Sequence, residues 1–308
     1  MTRFFRILVL LALVLAFVVV VAGAYVRLSD AGLGCPDWPL CYGQPVPADI
    51  ADLDALVKAW KEMGHRYLAG TLGVLILLLT LLAWRIRRAV WLATVILTLV
   101  LLQATLGAWT VTMLLKPAIV TAHLLGGMAI LALLTWLALA QFEAGHPYRE
   151  LRAPALAGLL VVAIQIALGG WVSSNYAALA CPDLPLCIGL AVPPMDFGNA
   201  FHVLRELGQT PEGALLSREA LRAIHWSHRV FALVALGVVG WAACRAFSYS
   251  KALAVLVAAL VIVQFSLGVA NVALALPLPL AAAHNAGAAL LLVALVVLNF
   301  FSFRGLRL

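Results

Sequence analysis

Four histidines stand in two pairs at repeated positions of the sequence. His65 recurs 163 residues later as His228, and His123 recurs 161 residues later as His284. Each lies in or beside a long apolar stretch, where an ionisable side chain is a candidate functional residue. Two imidazoles that face each other across a helical bundle can take both axial positions of a haem iron. The matched positions therefore favour haem or metal binding. Zinc is less favoured, because no cysteine or carboxylate cluster completes a tetrahedral ligand set at that depth.

Two further ionisable residues each precede one of these histidines by three positions. Glu62 comes before His65, and His225 comes before His228. If each helix extends back this far, each pair shares one helix face. A carboxylate near a reacting centre can act as a base or stabilise positive charge. The alternative is a solvated carboxylate at a helix N-terminus, favoured by the helix dipole. His225 could be an alternative ligand, a hydrogen-bonding neighbour of a ligand, or a proton relay.

Arginines and glycines accompany the histidines. Arg66 and Arg229 directly follow the first histidine of each pair. A guanidinium group matches carboxylate geometry, so both arginines are predicted partners of haem propionates. The alternative is that they only extend to the membrane interface. Glycine lets a macrocycle or a neighbouring helix come close. The glycines that follow the histidines are Gly70, Gly73, Gly126, Gly127 and Gly287.

Four of the five cysteines form a second repeated motif. The segment Cys35-Pro-Asp-Trp-Pro-Leu-Cys41 returns 146 residues later as Cys181-Pro-Asp-Leu-Pro-Leu-Cys187. Disulfides form and persist outside the bacterial cytoplasm, so each pair is predicted to close a tight loop. The pairs could be structural staples or redox-active dithiols, and both interpretations stay open. Cys244 has no repeat partner and is expected to be inert.

Long apolar stretches must position these residues. The chain is 65% hydrophobic and 11% charged, whereas soluble proteins hold about 25% charged residues. A membrane-spanning helix needs about 20 apolar residues. Arg3 and Arg6 precede the first stretch as in a signal peptide, but no cleavage site follows, so we expect a retained helix. The eight stretches are 7–26, 66–84, 89–111, 119–141, 155–173, 225–244, 251–271 and 281–302.

The repeated motifs divide the predicted helices into two groups of four. Four helices per half insert both halves the same way up, as parallel repeats. We therefore predict an all-α integral membrane protein built as two four-helix bundles. The halves are 1–148 and 149–308, with long outer loops at 27–64 and 174–224.

Charge predicts the orientation. With both termini in the cytoplasm, the inner segments hold eleven cations and two acids, and the outer segments hold nine cations and eleven acids. Lysine and arginine accumulate in cytoplasmic loops. The net charge of +7 therefore reflects topology. Nucleic-acid binding is not indicated, because no basic stripe with interleaved aromatic residues is present.

These motifs resemble the haem A synthase family of bacteria and mitochondria. The resemblance covers essentially the whole chain, including the helix number, the repeat and the outer loops. The motifs that carry it are Glu62-x-x-His65-Arg66, Thr-Ala-His123-Leu-Leu-Gly, Trp226-Ser-His228-Arg229, Ala-His284-Asn-Ala-Gly and Gly34-Cys-Pro-Asp-Trp-Pro-Leu-Cys41.

The resemblance implies an enzyme that oxidises the C8 methyl group of haem O to a formyl group by successive hydroxylations. The product, haem A, serves terminal oxidases and hence cytochrome oxidase assembly. By this resemblance His65 and His123 bind the substrate haem, and His228 and His284 bind a resident haem b. Glu62 matches the family's important acid. The outer-loop cysteine pair of the family maps onto Cys35–Cys41, whereas a second pair such as Cys181–Cys187 is not present in every member.

The resemblance also implies a location and partners. The expected location is the bacterial inner membrane, and the possible partners are haem O synthase and an electron acceptor. The main alternative is a membrane cytochrome b with two bis-histidine haems that relays electrons to or from quinone. It leaves Glu62 and the cysteines unexplained. A thiol–disulfide oxidoreductase using Cys35–Cys41 would make the histidines incidental, and a transporter would require charges at mid-membrane depth, which are essentially absent.

Overall fold

A computed structural model of the chain describes residues 2–48, 50–142 and 145–305. Within these ranges the secondary structure is helical, without a β-strand, and eight helices are long and apolar enough to cross a membrane. The prediction of an all-α membrane protein with eight spans is confirmed. The spanning helices are α1 (Thr2–Leu28), α2 (Leu53–Ile86), α3 (Val90–Thr112), α4 (Pro117–Leu139), α5 (Arg152–Ser174), α7 (Arg218–Ala246), α8 (Lys251–Ala273) and α9 (Leu278–Arg304). A one-turn helix, α6 (Phe197–Ala200), lies between α5 and α7.

Two helices begin well before their predicted apolar stretches. Helix α2 begins at Leu53, where the Asp52 side chain caps it, and α7 begins at Arg218, where the Ser217 side chain caps it. Their first turns are charged, so hydropathy does not mark them, although side-chain caps stabilise helix N-termini. The two long connecting segments are therefore 29–52 and 175–217, so the predicted loop bounds of 27–64 and 174–224 extend into the helices.

The spanning helices contact one another in a regular order. Helix α1 packs against α2 and α4, and α3 packs against the same two helices. Helix α5 packs against α7 and α9, and so does α8. Contacts between these groups join α4 to α5, α4 to α9, and α1 to α9. This order is compatible with two four-helix bundles, and the two-repeat arrangement stays a prediction. The orientation also stays a prediction. Three residues that entered its charge count, Asp49, Glu143 and Arg307, lie outside the described residues.

The apolar core lies away from the histidines. Its fully buried side chains include Leu134 of α4 and Leu295 of α9. Leu134 follows His123 by eleven residues, and Leu295 follows His284 by eleven, a rise of about 16 Å along each helix. We call the end of the helices nearer the histidines the cysteine-loop side, because both cysteine loops lie there. Polar and ionisable groups gather on that side, above the packed core.

Candidate functional site

Each of the four histidines packs against a glycine of another helix. The histidines lie in the first half of α2, α4, α7 and α9 and are half-buried. The distance from a Cβ atom built on the facing glycine to the imidazole Cε1 shows how close the approach is. These pairs are Gly23–His65 (2.8 Å), Gly107–His123 (3.3 Å), Gly169–His228 (3.1 Å) and Gly268–His284 (3.2 Å).

These four glycines were not singled out as neighbours of the histidines. Their spacing follows the repeat. Gly23 and Gly169 are 146 residues apart, as the two cysteine motifs are, and Gly107 and Gly268 are 161 residues apart, as His123 and His284 are. Of the glycines singled out, Gly126 and Gly287 instead face the amide groups of Gln103 and Gln264. Gly70 faces open space, Gly73 faces Val100, and Gly127 lies nearest Val20. The close approach to imidazole therefore comes from the neighbouring helices.

The imidazole rings keep nitrogen atoms that have no protein partner. Nδ1 of His65, His123 and His284 is buried without a hydrogen bond among the described residues. Buried polar groups are normally paired, and leaving one unpaired costs about 1–3 kcal/mol. The two histidines of each half lie on helices that pack against the same two neighbours, α2 and α4 in the first half and α7 and α9 in the second.

This arrangement fits a pair of axial ligands better than a zinc site. No group of three or more histidine, cysteine or acidic residues gathers into a metal site in the part of the chain that the structure describes. A tetrahedral zinc site needs four ligands, or three and a water. A haem iron needs only two axial protein ligands. The residues present therefore fit a haem, and haem binding itself stays a prediction.

Glu62 is buried in a hydrogen-bonded network and is not a solvated carboxylate at the end of a helix. It is 5% exposed and lies in the third turn of α2. The backbone N–H of Cys35 donates to its Oε2 at 2.8 Å, and Arg66 Nη2 lies 2.5 Å from its Oε1. Both carboxylate oxygens therefore have a hydrogen-bonding partner. One of those groups belongs to the first cysteine loop.

His225 occupies the corresponding place in the second half. It is 3% exposed, and the backbone N–H of Cys181 donates to its Nδ1 at 3.2 Å. The first cysteine of each loop therefore donates to the side chain three residues before a paired histidine. This geometry shows that His225 accepts a hydrogen bond from the loop. The roles considered for it, as an alternative ligand, a neighbour of a ligand or a proton relay, stay predictions.

Arg66 and Arg229 both bind carbonyl groups of the cysteine loops. The acceptors lie at repeat-related positions, an aspartate and a leucine in each loop. The contacts are Arg66 to Asp37 O (3.0 Å) and Leu40 O (2.8 Å), and Arg229 to Asp183 O (2.5 Å) and Leu186 O (3.3 Å). The arginines clamp the loops onto α2 and α7, and a contact with haem propionates stays a prediction.

The two loops close in the same way. Disulfides join Cys35 to Cys41 and Cys181 to Cys187, as predicted. In the first loop the Asp37 carboxylate accepts the backbone N–H groups of Tyr42 (2.7 Å) and Gly43 (2.9 Å). Desolvation acts to raise the pKa of Asp37, but these hydrogen bonds outweigh it and the pKa is lowered. Whether the disulfides are staples or redox groups stays open.

Comparison with known proteins shows the family of the chain. A sequence model of the family described as cytochrome oxidase assembly protein matches residues 6–296. The chain is 43% identical to the haem A synthase of Shewanella oneidensis over 313 residues, which covers 94% of each chain. The chain belongs to the haem A synthase family. It is also 31% identical to the haem A synthase of Caulobacter vibrioides, over 90% of each chain. The family match spans the paired histidines, Glu62 and the cysteine loops.

The remaining candidate residues of this haem A synthase family member lie apart from the site. His146, His202 and Cys244 are exposed. A groove of about 590 Å³ lies between α7 and α8, beside Cys244. Its lining is apolar and contains none of the paired histidines. The chemistry-bearing groups gather instead under the two cysteine loops.

Proposed function

We propose that this chain is a haem A synthase that oxidises the C8 methyl group of haem O to a formyl group by successive hydroxylations. The observation that carries this proposal is the buried carboxylate of Glu62, held beside one histidine pair by Arg66 and the cysteine loop. The relatives named haem A synthase support the reaction assigned to it. As a protein with eight spans it would work inside the membrane, with both termini in the cytoplasm.

The two halves would hold different haems. His65 and His123 of residues 1–148 bind the substrate haem O, and His228 and His284 of residues 149–308 bind a resident haem b. The difference between Glu62 and His225 supports this assignment, because only the first half carries a carboxylate three residues before its histidine. A bis-histidine haem b would supply one-electron redox capacity. An electron acceptor and haem O synthase are the expected partners.

The residues of the chain have separable roles in this reaction. Oxidation of a methyl group removes electrons and protons from carbon, so positive charge develops there. Glu62 is positioned to stabilise that charge or to accept a proton at Oε2, the oxygen that faces the backbone of Cys35. Arg66 fixes the carboxylate and the loop above it, and the disulfide-closed loop limits access of water. The glycines facing His65 and His123 leave room for the imidazoles to turn toward the iron.

Pigment analysis tests the proposal. The protein is purified from cells that also express a haem O source, and the extracted haems are separated by reverse-phase chromatography. We expect haem B together with haem O, haem A or a hydroxylated intermediate. The same cells carrying Glu62→Gln serve as a control and should yield haem B and haem O without haem A. Haem B alone from the unmodified protein would instead indicate an electron-transfer cytochrome b.

A further inference from the structure

The helices that face the histidines carry a second repeated residue, one turn before the glycine. Three of them contain glutamine there, in the pattern Gln-x-x-x-Gly. Helix α1, which faces His65, has valine instead. The four pairs are Val19 with Gly23, Gln103 with Gly107, Gln165 with Gly169 and Gln264 with Gly268. Val19 and Gln165 are 146 residues apart, the same offset as Gly23 and Gly169.

Gln165 binds His228 at two points. Its Nε2 lies 3.1 Å from Nδ1 of the ring and donates to the backbone carbonyl of His228 at 3.1 Å. Its Oε1 is buried without a partner among the described residues. Rotation of the terminal amide can therefore present either a donor or an acceptor to Nδ1. His228 thus has a polar neighbour that can bind Nδ1 whether or not this nitrogen carries a proton.

His65 has no such neighbour. Neither ring nitrogen has a hydrogen bond within the described ranges, and its Nδ1 is buried and unpaired. The side chain at the position corresponding to Gln165 is Val19, which can neither donate nor accept. The two halves therefore share the glycine contact with imidazole and differ in the polar group beside it.

We propose that Gln165 is a positioning residue that retains the haem of the second half, and that Val19 leaves His65 as a ligand that releases its haem more easily. This inference rests on the proposed function, in which one haem stays and the other is exchanged as substrate and product. A histidine that ligates iron through Nε2 carries a proton on Nδ1, and an acceptor for that proton fixes the ring and strengthens the ligand. Loss of such partners lowers metal affinity or activity by about 10–100-fold in other sites.

The test compares Gln165→Val with Gln141→Val. Gln141 is the control, because its Oε1 is likewise buried without a partner among the described residues. Its Nε2 donates to the backbone carbonyl of Leu137 at 2.9 Å, and it lies just beyond the end of α4, far from the histidines. The measurement is the rate at which the purified haem-loaded protein transfers haem b to excess apomyoglobin, followed by absorbance. We expect Gln165→Val to transfer haem b roughly 10–100 times faster than wild type, and Gln141→Val to match wild type. Equal rates for all three proteins would overturn the inference.

A second readout separates positioning from general loosening of the bundle. An acceptor on Nδ1 stabilises ferric haem, so Gln165→Val should raise the midpoint potential of haem b and Gln165→Glu, with a stronger acceptor, should lower it. An unchanged potential in Gln165→Glu would contradict the proposal even if Gln165→Val fails to load haem. The reciprocal variant Val19→Gln should purify with more haem O or oxidised product than wild type, and an unchanged amount would contradict the role of Val19. Because the transfer assay follows haem b alone, it remains decisive if haem O conversion is not observed.

Discussion

Replacing Glu62 should separate its structural contribution from its chemistry. Glu62→Ala removes both carboxylate oxygens, which accept hydrogen bonds from Cys35 and Arg66. The ion pair is largely buried, since the side chain of Arg66 is 14% exposed and that of Glu62 is 6% exposed. Breaking a buried ion pair by removing one partner costs about 3–5 kcal/mol. Water can reach part of Arg66, so we expect a loss near 3 kcal/mol in the free energy of unfolding. This variant therefore tests the network and not the reaction.

Glu62→Gln is the sharper test of the reaction. The amide oxygen can still accept the N–H of Cys35, so only the charge-assisted bond to Arg66 is lost. A hydrogen bond to a charged group contributes about 1.5–3 kcal/mol, so we expect Gln to destabilise less than Ala. It should keep haem b and abolish haem A formation, because a neutral amide neither takes a proton nor stabilises positive charge.

The assay combines thermal unfolding of the detergent-solubilised protein with chromatography of its haems. His225→Ala is the matched control in the second half, since it also removes the acceptor for a cysteine N–H. It should destabilise the protein by about 1–3 kcal/mol and still yield haem A. Wild-type amounts of haem A from Glu62→Gln would refute the assigned chemistry. Wild-type stability of Glu62→Ala would refute the energetic reasoning.

Three further perturbations test the architecture around the site. Gly23→Ala should displace His65, since the new Cβ would lie 2.8 Å from its ring; overpacking costs about 1–3 kcal/mol, so we expect at least a tenfold loss of haem A with haem b content unchanged. Gly240→Ala, which faces open space, should change neither. Arg229→Lys cannot reproduce the planar fork that binds the second loop. If the free energy that holds this loop closed falls by about 1.4 kcal/mol, alkylation of its cysteines under mild reductant should become roughly tenfold faster. An unchanged rate would exclude the clamp. The lowered pKa of Asp37 predicts that its hydrogen bonds stabilise the first loop above the ordinary pKa of 3.8. This contribution should be lost as pH falls through the lower folded value, which thermal unfolding across that pH range would show. Asp37→Asn should remove that pH dependence.

The general architecture could be predicted because the membrane constrains it strongly. A spanning helix needs a minimum apolar length, so eight apolar stretches predict eight spans. The paired motifs predict that the chain is a repeat. The start of α2 could not be found in this way, because its first turns carry Asp54 and Lys58, which pair at 2.7 Å and keep the helix outside any apolar window. Segments of helix that project beyond the lipid are invisible to hydropathy.

The site was predictable in its residue types and not in its contacts. The four histidines, Glu62 and the cysteine pairs were singled out from their spacing, and the resemblance to the haem A synthase family added the expected role of Glu62. The clamping role of Arg66 was missed, because its acceptors are backbone carbonyls, and composition records nothing about where carbonyl groups point. Whether Glu62 was buried or solvated could not be decided either, since burial depends on the cysteine loop that folds over it.

Comparison of the two halves shows whether the fold needs the buried ion pair between Glu62 and Arg66. Arg229 clamps its loop as Arg66 does, yet no carboxylate of the described residues lies within ion-pair distance of it. The N–H of Cys181 is satisfied by the neutral His225. The same scaffold therefore closes without a buried carboxylate, and desolvating an ion pair often makes it no more stabilising than neutral residues. Stability of the fold does not explain the presence of Glu62. The chemistry proposed for the first histidine pair accounts for a carboxylate that the scaffold itself does not require.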